Sequence, residues 1–262
     1  MEAKSKKDYA HNEGYLTLVL LLVYLALEQI PWARFIAGDV PVAAITLGVR
    51  LVFAVIVFFV LWWYRAPFSS MWKVLPRAFL FAPFFLIPFS NLIGGWAEGA
   101  IMEISVPTEL FVLSSFSSLL VAILEETLFR FLLMSYLSHK MKKEIALLLS
   151  SVIFGVLHLL NLFSGADVAS VFLQVAYSTG IGLIAGFMWG YGGGLILPIA
   201  FHFLFNWLEG DTFRACYVGS GGTAIWVSNL VFALLAAIYG VTLFFLWRKQ
   251  DGQGSEDLEV QS

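Results

Sequence analysis

The sequence predicts an all-α integral membrane protein, a bundle of about eight transmembrane helices with both termini on the cytoplasmic side (N-in and C-in). Hydrophobic residues make up 60 % of its 262 residues and charged residues only 13 %, about half the charged fraction of a typical soluble domain. The hydrophobic residues are concentrated in long segments, and the basic residues lie between alternate segments. Together, these three observations predict the fold class.

The hydrophobic segments are long enough to be membrane-spanning helices. A helix that crosses the hydrocarbon core of a bilayer needs about 20 mostly apolar residues. Eight segments reach or approach this length, at residues 15–36, 42–64, 78–96, 109–137, 144–163, 168–189, 193–208 and 223–247. No internal repeat or linker divides them, so we predict one transmembrane domain at residues 15–247. Residues 1–14 and 248–262 are polar and are predicted to be terminal tails.

The basic residues fit this order of segments. If eight helices cross the membrane, one side receives Lys4, Lys6, Lys7, Arg65, Lys73, Arg77, Lys140, Lys142, Lys143, Arg248 and Lys249. The opposite side receives Arg34 and Arg214, together with several acidic residues. Because cytoplasmic loops are enriched in Lys and Arg, we expect both termini in the cytoplasm. The compact loops favour a prokaryotic plasma membrane.

Charge and cysteine content exclude several classes of protein. A formal net charge of −3 gives no reason to expect a nucleic-acid partner. The single cysteine, Cys216, excludes an intrachain disulfide framework and a multi-cysteine metal site. The expected surroundings are therefore the lipid bilayer and molecules that associate with it. The composition favours no particular oligomeric state.

The fourth hydrophobic segment contains three ionisable residues in the stretch LLVAILEETLFRFLL. An unpaired charge at the centre of a bilayer costs about 2.5–3.5 kcal/mol on insertion scales. Glu126 and Arg130 are four residues apart on one helix face, so we predict that they form an ion pair. Glu125 is rotated by about 100° from Glu126 and needs a partner on another helix. A structural role is enough to explain the Glu126–Arg130 pair, but it does not explain why Glu125 lies in this segment.

Two of the four histidines lie within hydrophobic segments and offer such a partner. The stretch FGVLH places Phe154 one turn before His158, and the stretch HFLFN places Asn206 one turn after His202. A single buried histidine is usually a structural residue of a bundle. Two histidines, an asparagine and an unpaired Glu125 on three different segments instead indicate a polar site inside the membrane.

These residues also carry a resemblance to a known family. EETLFR matches the pattern EExxxR, FGVLH matches FxxxH and HFLFN matches HxxxN, in this order along residues 106–209. The chain therefore resembles the CPBP family, the CAAX proteases and bacteriocin-processing enzymes, also called the Abi or type II CAAX prenyl endopeptidase family. Each motif alone is weak, but all three in order, each within a predicted helix, are specific.

The resemblance implies an intramembrane endopeptidase with an eight-helix fold. In such an enzyme Glu125 and His158 would activate a water molecule that attacks the peptide carbonyl. His202 and Asn206 would stabilise the oxyanion that forms. The resemblance implies a supporting role in the site for Glu126, Arg130 and Phe154. The substrate would be a membrane-associated peptide or protein.

The same residue types leave a metal open as an alternative. Glu125, His158 and His202 resemble a zinc set of two histidines and one carboxylate, with a fourth position for water. The zincin pattern HExxH is missing from the sequence. Because the resemblance implies that His202 is an oxyanion donor, His202 would not be available as a ligand. We therefore favour a glutamic-type protease without a cofactor over a zinc metalloprotease.

Two other functions use the same residue types. Buried acidic residues and histidines also line the paths of transporters and proton relays, and a non-catalytic scaffold could retain the bundle. Arg50 lies in the second segment with no partner nearby in sequence. It would either extend its cation to the membrane surface or bind a carboxylate of the substrate.

Overall fold

The structure is a computed structural model that describes residues 6–64, 66–74, 76–97, 99, 101–102, 106–210, 217–218, 227, 230–231, 235, 238–240, 242–243 and 245. These residues are predominantly helical, which confirms the all-α class. In this part of the chain the β-structure consists of two-residue strands, β1 (Ile101–Met102) and β2 (Tyr217–Val218), which pair in antiparallel orientation.

The α-helices are α1 (Lys6–Glu28), α2 (Asp39–Trp63), α3 (Phe68–Met71), α4 (Ser90–Ala97), α5 (Thr108–Glu126), α6 (Ser135–Ser138), α7 (Lys143–Leu157), α8 (Val168–Phe187) and α9 (Ile196–Glu209). Segments of 3₁₀-helix comprise Trp32–Arg34, Pro76–Phe89 and His158–Ser164. Two π-helical segments continue α5 and α8, at Thr127–Met134 and Met188–Gly192.

Five of the predicted segments are helices long and apolar enough to cross a membrane: Asn12–Arg34, Asp39–Trp63, Thr108–Ser138, Lys143–Ser164 and Val168–Gly192. The chain is therefore a multi-pass membrane protein. The third and seventh predicted segments contain shorter apolar helices, Ala78–Phe89 and Ile196–Leu208. The eighth, 223–247, lies largely outside the described residues. The total of eight helices and the cytoplasmic termini stay predictions.

The first helix begins earlier than predicted, because residues 6–14 of the proposed polar tail are helical. Tertiary contacts explain the difference. The Glu13 carboxylate is buried and lies 3.1 Å from His139 Nδ1. A Cβ atom added at Gly14 would lie 2.6 Å from the ring of Tyr136. This polar stretch therefore packs against the loop end of α6, and periodicity along the sequence does not reveal such a contact.

The predicted third transmembrane helix, 78–96, is interrupted. Its first part is the 3₁₀-helix Pro76–Phe89, which contains Pro83 and Pro88, and its last part is α4. Proline lacks the backbone N–H that an α-helix requires and its ring clashes with the preceding turn. The two prolines therefore prevent a continuous α-helix here, although the segment is apolar enough to be one.

The core that positions the site is centred on α5 and its π-helical continuation, against α1, α2 and α7. It contains fully buried side chains from these elements, including Val57, Leu61, Ala122, Leu124, Leu128 and Leu132. Helices α7 and α8 approach closely at Gly155, where a Cβ atom would lie 2.0 Å from Thr179 Oγ1. Small residues allow such close packing of helix backbones in membranes. This contact holds the end of α7, where His158 follows.

Candidate active site

The Glu126–Arg130 ion pair lies at the junction between α5 and its π-helical continuation. Arg130 Nε is 2.9 Å from Glu126 Oε2, and both side chains are 0 % exposed. Arg130 Nη1 donates to Ser150 Oγ on α7 at 3.2 Å, and the guanidinium carbon lies 5.2 Å from the centre of the Phe154 ring. The structure thus contains the pair that the four-residue spacing predicted. A π-helical segment of this kind is common at functional sites.

His202 lies between the two adjacent glutamates. Its Nδ1 is 2.7 Å from Glu126 Oε1, and its Nε2 is 3.5 Å from Glu125 Oε2. A carboxylate oxygen can only accept a hydrogen bond, so His202 Nδ1 carries a hydrogen and donates a hydrogen bond to Glu126. The Glu125 side chain is 15 % exposed, whereas the Glu126 side chain is fully buried. Helix α9 therefore brings an imidazole to a carboxylate pair of which only Glu125 is accessible.

A second contact to Glu125 comes from a residue that sequence reasoning missed. The hydroxyl of Tyr24 on α1 donates to Glu125 Oε1 at 2.8 Å. Tyr24 is buried, and its ring stacks on Phe53 of α2 with centroids 5.8 Å apart. The only sequence signal was a tyrosine in the middle of an apolar segment, far from the three motifs.

His158 is the first residue of the 3₁₀-helix that follows α7. Its Nδ1 lies 2.9 Å from the carbonyl oxygen of Phe154, and its Nε2 lies 3.5 Å from Ser178 Oγ. A carbonyl oxygen only accepts hydrogen bonds, so His158 Nδ1 carries the hydrogen. In the neutral ring, Nε2 then has a lone pair that can accept a hydrogen bond. In the described part of the chain, Glu125 contacts the imidazole of His202 and not that of His158.

Phe154 connects the members of the site. Its ring meets His158 and His202 edge to face, at centroid distances of 5.2 and 5.7 Å, and it meets Phe129 in the same way at 4.8 Å. The guanidinium of Arg130 lies over the same ring. The Phe154 ring therefore contacts both imidazoles and covers one face of the Arg130 guanidinium.

Asn206 follows His202 by one turn on α9 and is partly buried. The shared helix face that the HFLFN spacing predicted is therefore present. Asn161 follows His158 by three residues, and its amide donates a hydrogen bond to Gln174 Oε1 on α8 at 2.8 Å. That contact joins the 3₁₀-helix to α8.

Arg50, for which the sequence showed no partner nearby, is ion-paired with a residue on another helix. Its Nε and Nη2 contact Glu28 Oε1 and Oε2 at 2.8 and 2.5 Å, and its Nη1 contacts Ser117 Oγ. Glu28 is at the end of α1 and Ser117 is on α5, so the arginine joins three helices. Sequence reasoning missed the pair because Glu28 lies 22 residues away on another helix.

The donor atoms do not form the zinc set considered from the sequence. Glu125, His158 and His202 are all described, and no group of three or more His, Cys, Asp or Glu residues in the described part of the chain is arranged to hold a metal ion. Both histidines have hydrogen-bond partners at Nδ1, the Phe154 carbonyl and the Glu126 carboxylate, which leaves Nε2 of each ring directed elsewhere. Hydrolysis without a metal stays a prediction.

The fold and the site define a class of protein: a multi-pass helical membrane protein with a buried cluster of two glutamates, two histidines and an arginine. Residues 107–208 match the family described as type II CAAX prenyl endopeptidase Rce1-like. The matched segment contains all three motifs, and the match confirms the resemblance stated from them. No curated protein and no solved structure shows a significant match to the chain.

Proposed function

We propose that this protein is an intramembrane endopeptidase of the glutamic type, which hydrolyses a peptide bond of a membrane-associated peptide or protein. The observation that carries the proposal is the position of His202, in contact with Glu126 and facing the partly exposed side chain of Glu125. The family match supports an endopeptidase in general.

Glu125 is proposed as the general base. Of the two adjacent glutamates it is the one whose side chain is partly exposed, so it can reach both water and substrate. It also lacks the direct ion pair with Arg130 that Glu126 has. A carboxylate in a partly desolvated site can accept a proton from the attacking water, which contributes about 10²–10⁴-fold to a hydrolysis rate.

His158 is proposed to hold the same water molecule from the other side. Because its Nδ1 donates to the Phe154 carbonyl, its Nε2, which lies 3.5 Å from Ser178 Oγ, is the ring nitrogen that can accept a hydrogen bond from water. The structure does not bring His158 into direct contact with Glu125. In the proposed mechanism, the water bridges the carboxylate and the imidazole.

His202 and Asn206 are proposed to stabilise the oxyanion. His202 Nδ1 already donates to Glu126, so a second donation from Nε2 requires the imidazolium form. An imidazolium and the Arg130 guanidinium balance the two glutamates, and the cluster then has no net charge. Neutral clusters avoid the large cost of an unbalanced charge in a low-dielectric interior. A fixed donor of this kind lowers the barrier by a few kcal/mol.

The substrate, location and cofactor content are proposed on the same basis. The matching family is described as type II CAAX prenyl endopeptidase Rce1-like, and we propose a membrane-associated protein substrate for this chain. We further propose a prokaryotic plasma membrane, with both termini in the cytoplasm, and hydrolysis without a metal.

The test measures cleavage in proteoliposomes that contain the purified full-length chain. Two internally quenched probes are used, a farnesylated peptide with a C-terminal CAAX sequence and an apolar transmembrane peptide, and mass spectrometry identifies the products. Glu125→Gln keeps the shape of the side chain and cannot act as a base, so product formation should be lost. Glu109→Gln removes an exposed carboxylate from the first turn of the same helix and should leave cleavage unchanged.

Two results would contradict the proposal. One is cleavage by Glu125→Gln near the wild-type rate. The other is a Glu125-dependent proton flux across the same proteoliposomes with no product from either probe, which would favour a proton relay.

A further inference from the structure

Tyr24 reaches the proposed base from a part of the chain that the family match does not include. The match begins at residue 107, whereas Tyr24 lies on α1, 101 residues before Glu125. Its hydroxyl donates to Glu125 Oε1 at 2.8 Å, and the residue as a whole is 3 % exposed. None of the three motifs predicts a role for this residue.

We propose that Tyr24 is a positioning residue for the proposed base, and that it holds the Glu125 carboxylate in its working orientation. The proposal rests on the function proposed above. With Oε1 bound by the Tyr24 hydroxyl, Oε2 is the oxygen that faces His202 Nε2 at 3.5 Å. Oε2 is therefore the oxygen assigned to proton transfer.

The need for such a residue follows from the geometry of α5. Glu126 is held by Arg130 and His202, but Glu125 is on a different face and has no intrahelical partner of this kind. A glutamate side chain has several rotatable bonds, and its orientation is lost unless something fixes it. A displacement of about 1 Å at a reacting group can cost about 10²-fold in rate. One hydrogen bond from a rigid donor removes most of this freedom.

Tyr24 is itself held rigidly. Its ring stacks on the buried Phe53 of α2 with an interplanar angle of 23°. One turn further along α1, Glu28 pairs with Arg50 of α2, and Arg50 contacts Ser117 of α5. These contacts join α1, α2 and α5 one turn from Tyr24. Packing therefore holds the Tyr24 ring in addition to its hydrogen bond to Glu125.

The test compares variants with the two probes in proteoliposomes. Tyr24→Phe removes the hydroxyl and keeps the ring on Phe53. We expect kcat to fall by about 10–100-fold, with KM within about twofold because the hydroxyl does not touch the substrate. Replacing Tyr24 with p-aminophenylalanine restores a donor at the same position and should recover much of kcat.

The matched control is Tyr15→Phe, which removes a hydroxyl from an exposed tyrosine of the same helix. It should change neither kcat nor KM. The thermal unfolding midpoint is measured for every variant, because a hydroxyl that only joins α1 to α5 would lower stability and not the kcat of the folded protein. A kcat of Tyr24→Phe within twofold of wild type would overturn the proposal, as would a loss of kcat that p-aminophenylalanine does not reverse.

The Glu125→Gln variant distinguishes failure of the proposed function from failure of the proposed role of Tyr24. If Glu125→Gln loses cleavage and Tyr24→Phe retains it, the positioning role is wrong and the proposed function stands. If Glu125→Gln retains cleavage, the general-base assignment is wrong, and the role of Tyr24 is wrong with it.

Discussion

Replacing Arg130 with alanine should destabilise the protein strongly. The guanidinium is fully buried and contacts Glu126, Ser150 and the face of Phe154. In the Arg130→Ala variant, Glu126 keeps its position beside His202 but loses its ion pair with Arg130 at 0 % exposure. The result is a buried cluster in which the charges of the two glutamates are no longer balanced.

The magnitude follows from burial. Removing one partner of a buried ion pair costs about 3–5 kcal/mol in soluble proteins. For a domain of about 150–250 residues, this loss lowers the midpoint of thermal unfolding by about 6–20 °C. The Arg50–Glu28 pair has the same chemistry but is 19 % and 24 % exposed. Solvent weakens such a pair, so Arg50→Ala should cost less, about 1–2 kcal/mol.

The assay measures thermal unfolding of the purified protein in detergent, together with its accumulation in membranes. Arg130→Ala is compared with wild type, with Arg50→Ala and with the double variant Glu126→Gln/Arg130→Gln. The double variant removes both charges and keeps an oxygen that accepts from His202, so it should regain part of the lost stability.

The reasoning would be refuted if Arg130→Ala unfolded at the wild-type temperature. It would be refuted equally if Arg50→Ala were the more destabilised variant, since burial would then not determine the cost.

Three further predictions concern the oxyanion donors, the cofactor and the helix contact. Asn206→Ala should lower kcat by about 10²–10³-fold and leave KM largely unchanged, measured with the two probes; an unchanged kcat would remove Asn206 from the mechanism. Active wild-type protein should contain well below one zinc per chain by elemental analysis and keep its activity in EDTA; one zinc per wild-type chain and none in His202→Ala would instead make His202 a ligand. Gly155→Ala places a methyl group 2.0 Å from Thr179 Oγ1 and should reduce accumulation, whereas Gly180→Ala meets no atom within 4 Å and should not.

The membrane class and part of the site follow directly from the sequence. Apolar segments of about 20 residues have no stable alternative to a membrane-spanning helix, so their presence could be predicted without any tertiary information. The Glu126–Arg130 pair could be predicted for a similar reason, since residues four apart on a helix are neighbours whatever surrounds them. The three motifs indicated the remaining residues of the site by resemblance.

The contacts between helices depend on packing, and the sequence did not reveal them. Tyr24 and Glu125 are 101 residues apart, and Arg50 and Glu28 are 22 apart on different helices. No periodicity links such positions, because the rotation of each helix about its own axis is set by its neighbours. The break along residues 76–89 was missed: the apolar composition predicted one helix at 78–96, although Pro83 and Pro88 interrupt it.

The sequence by itself determined which ionisable residues lie within the membrane-spanning segments, because length and apolar composition are enough to recognise such segments. Only the tertiary structure decided their partners. His202 lies between Glu125 and Glu126, and His158 is oriented by the Phe154 carbonyl. The Tyr24 hydroxyl donates a hydrogen bond to Glu125, the proposed base. Hydrogen bonds act over about 3 Å, so which groups meet depends on how the helices pack. Helix packing brings together side chains that lie far apart along the chain.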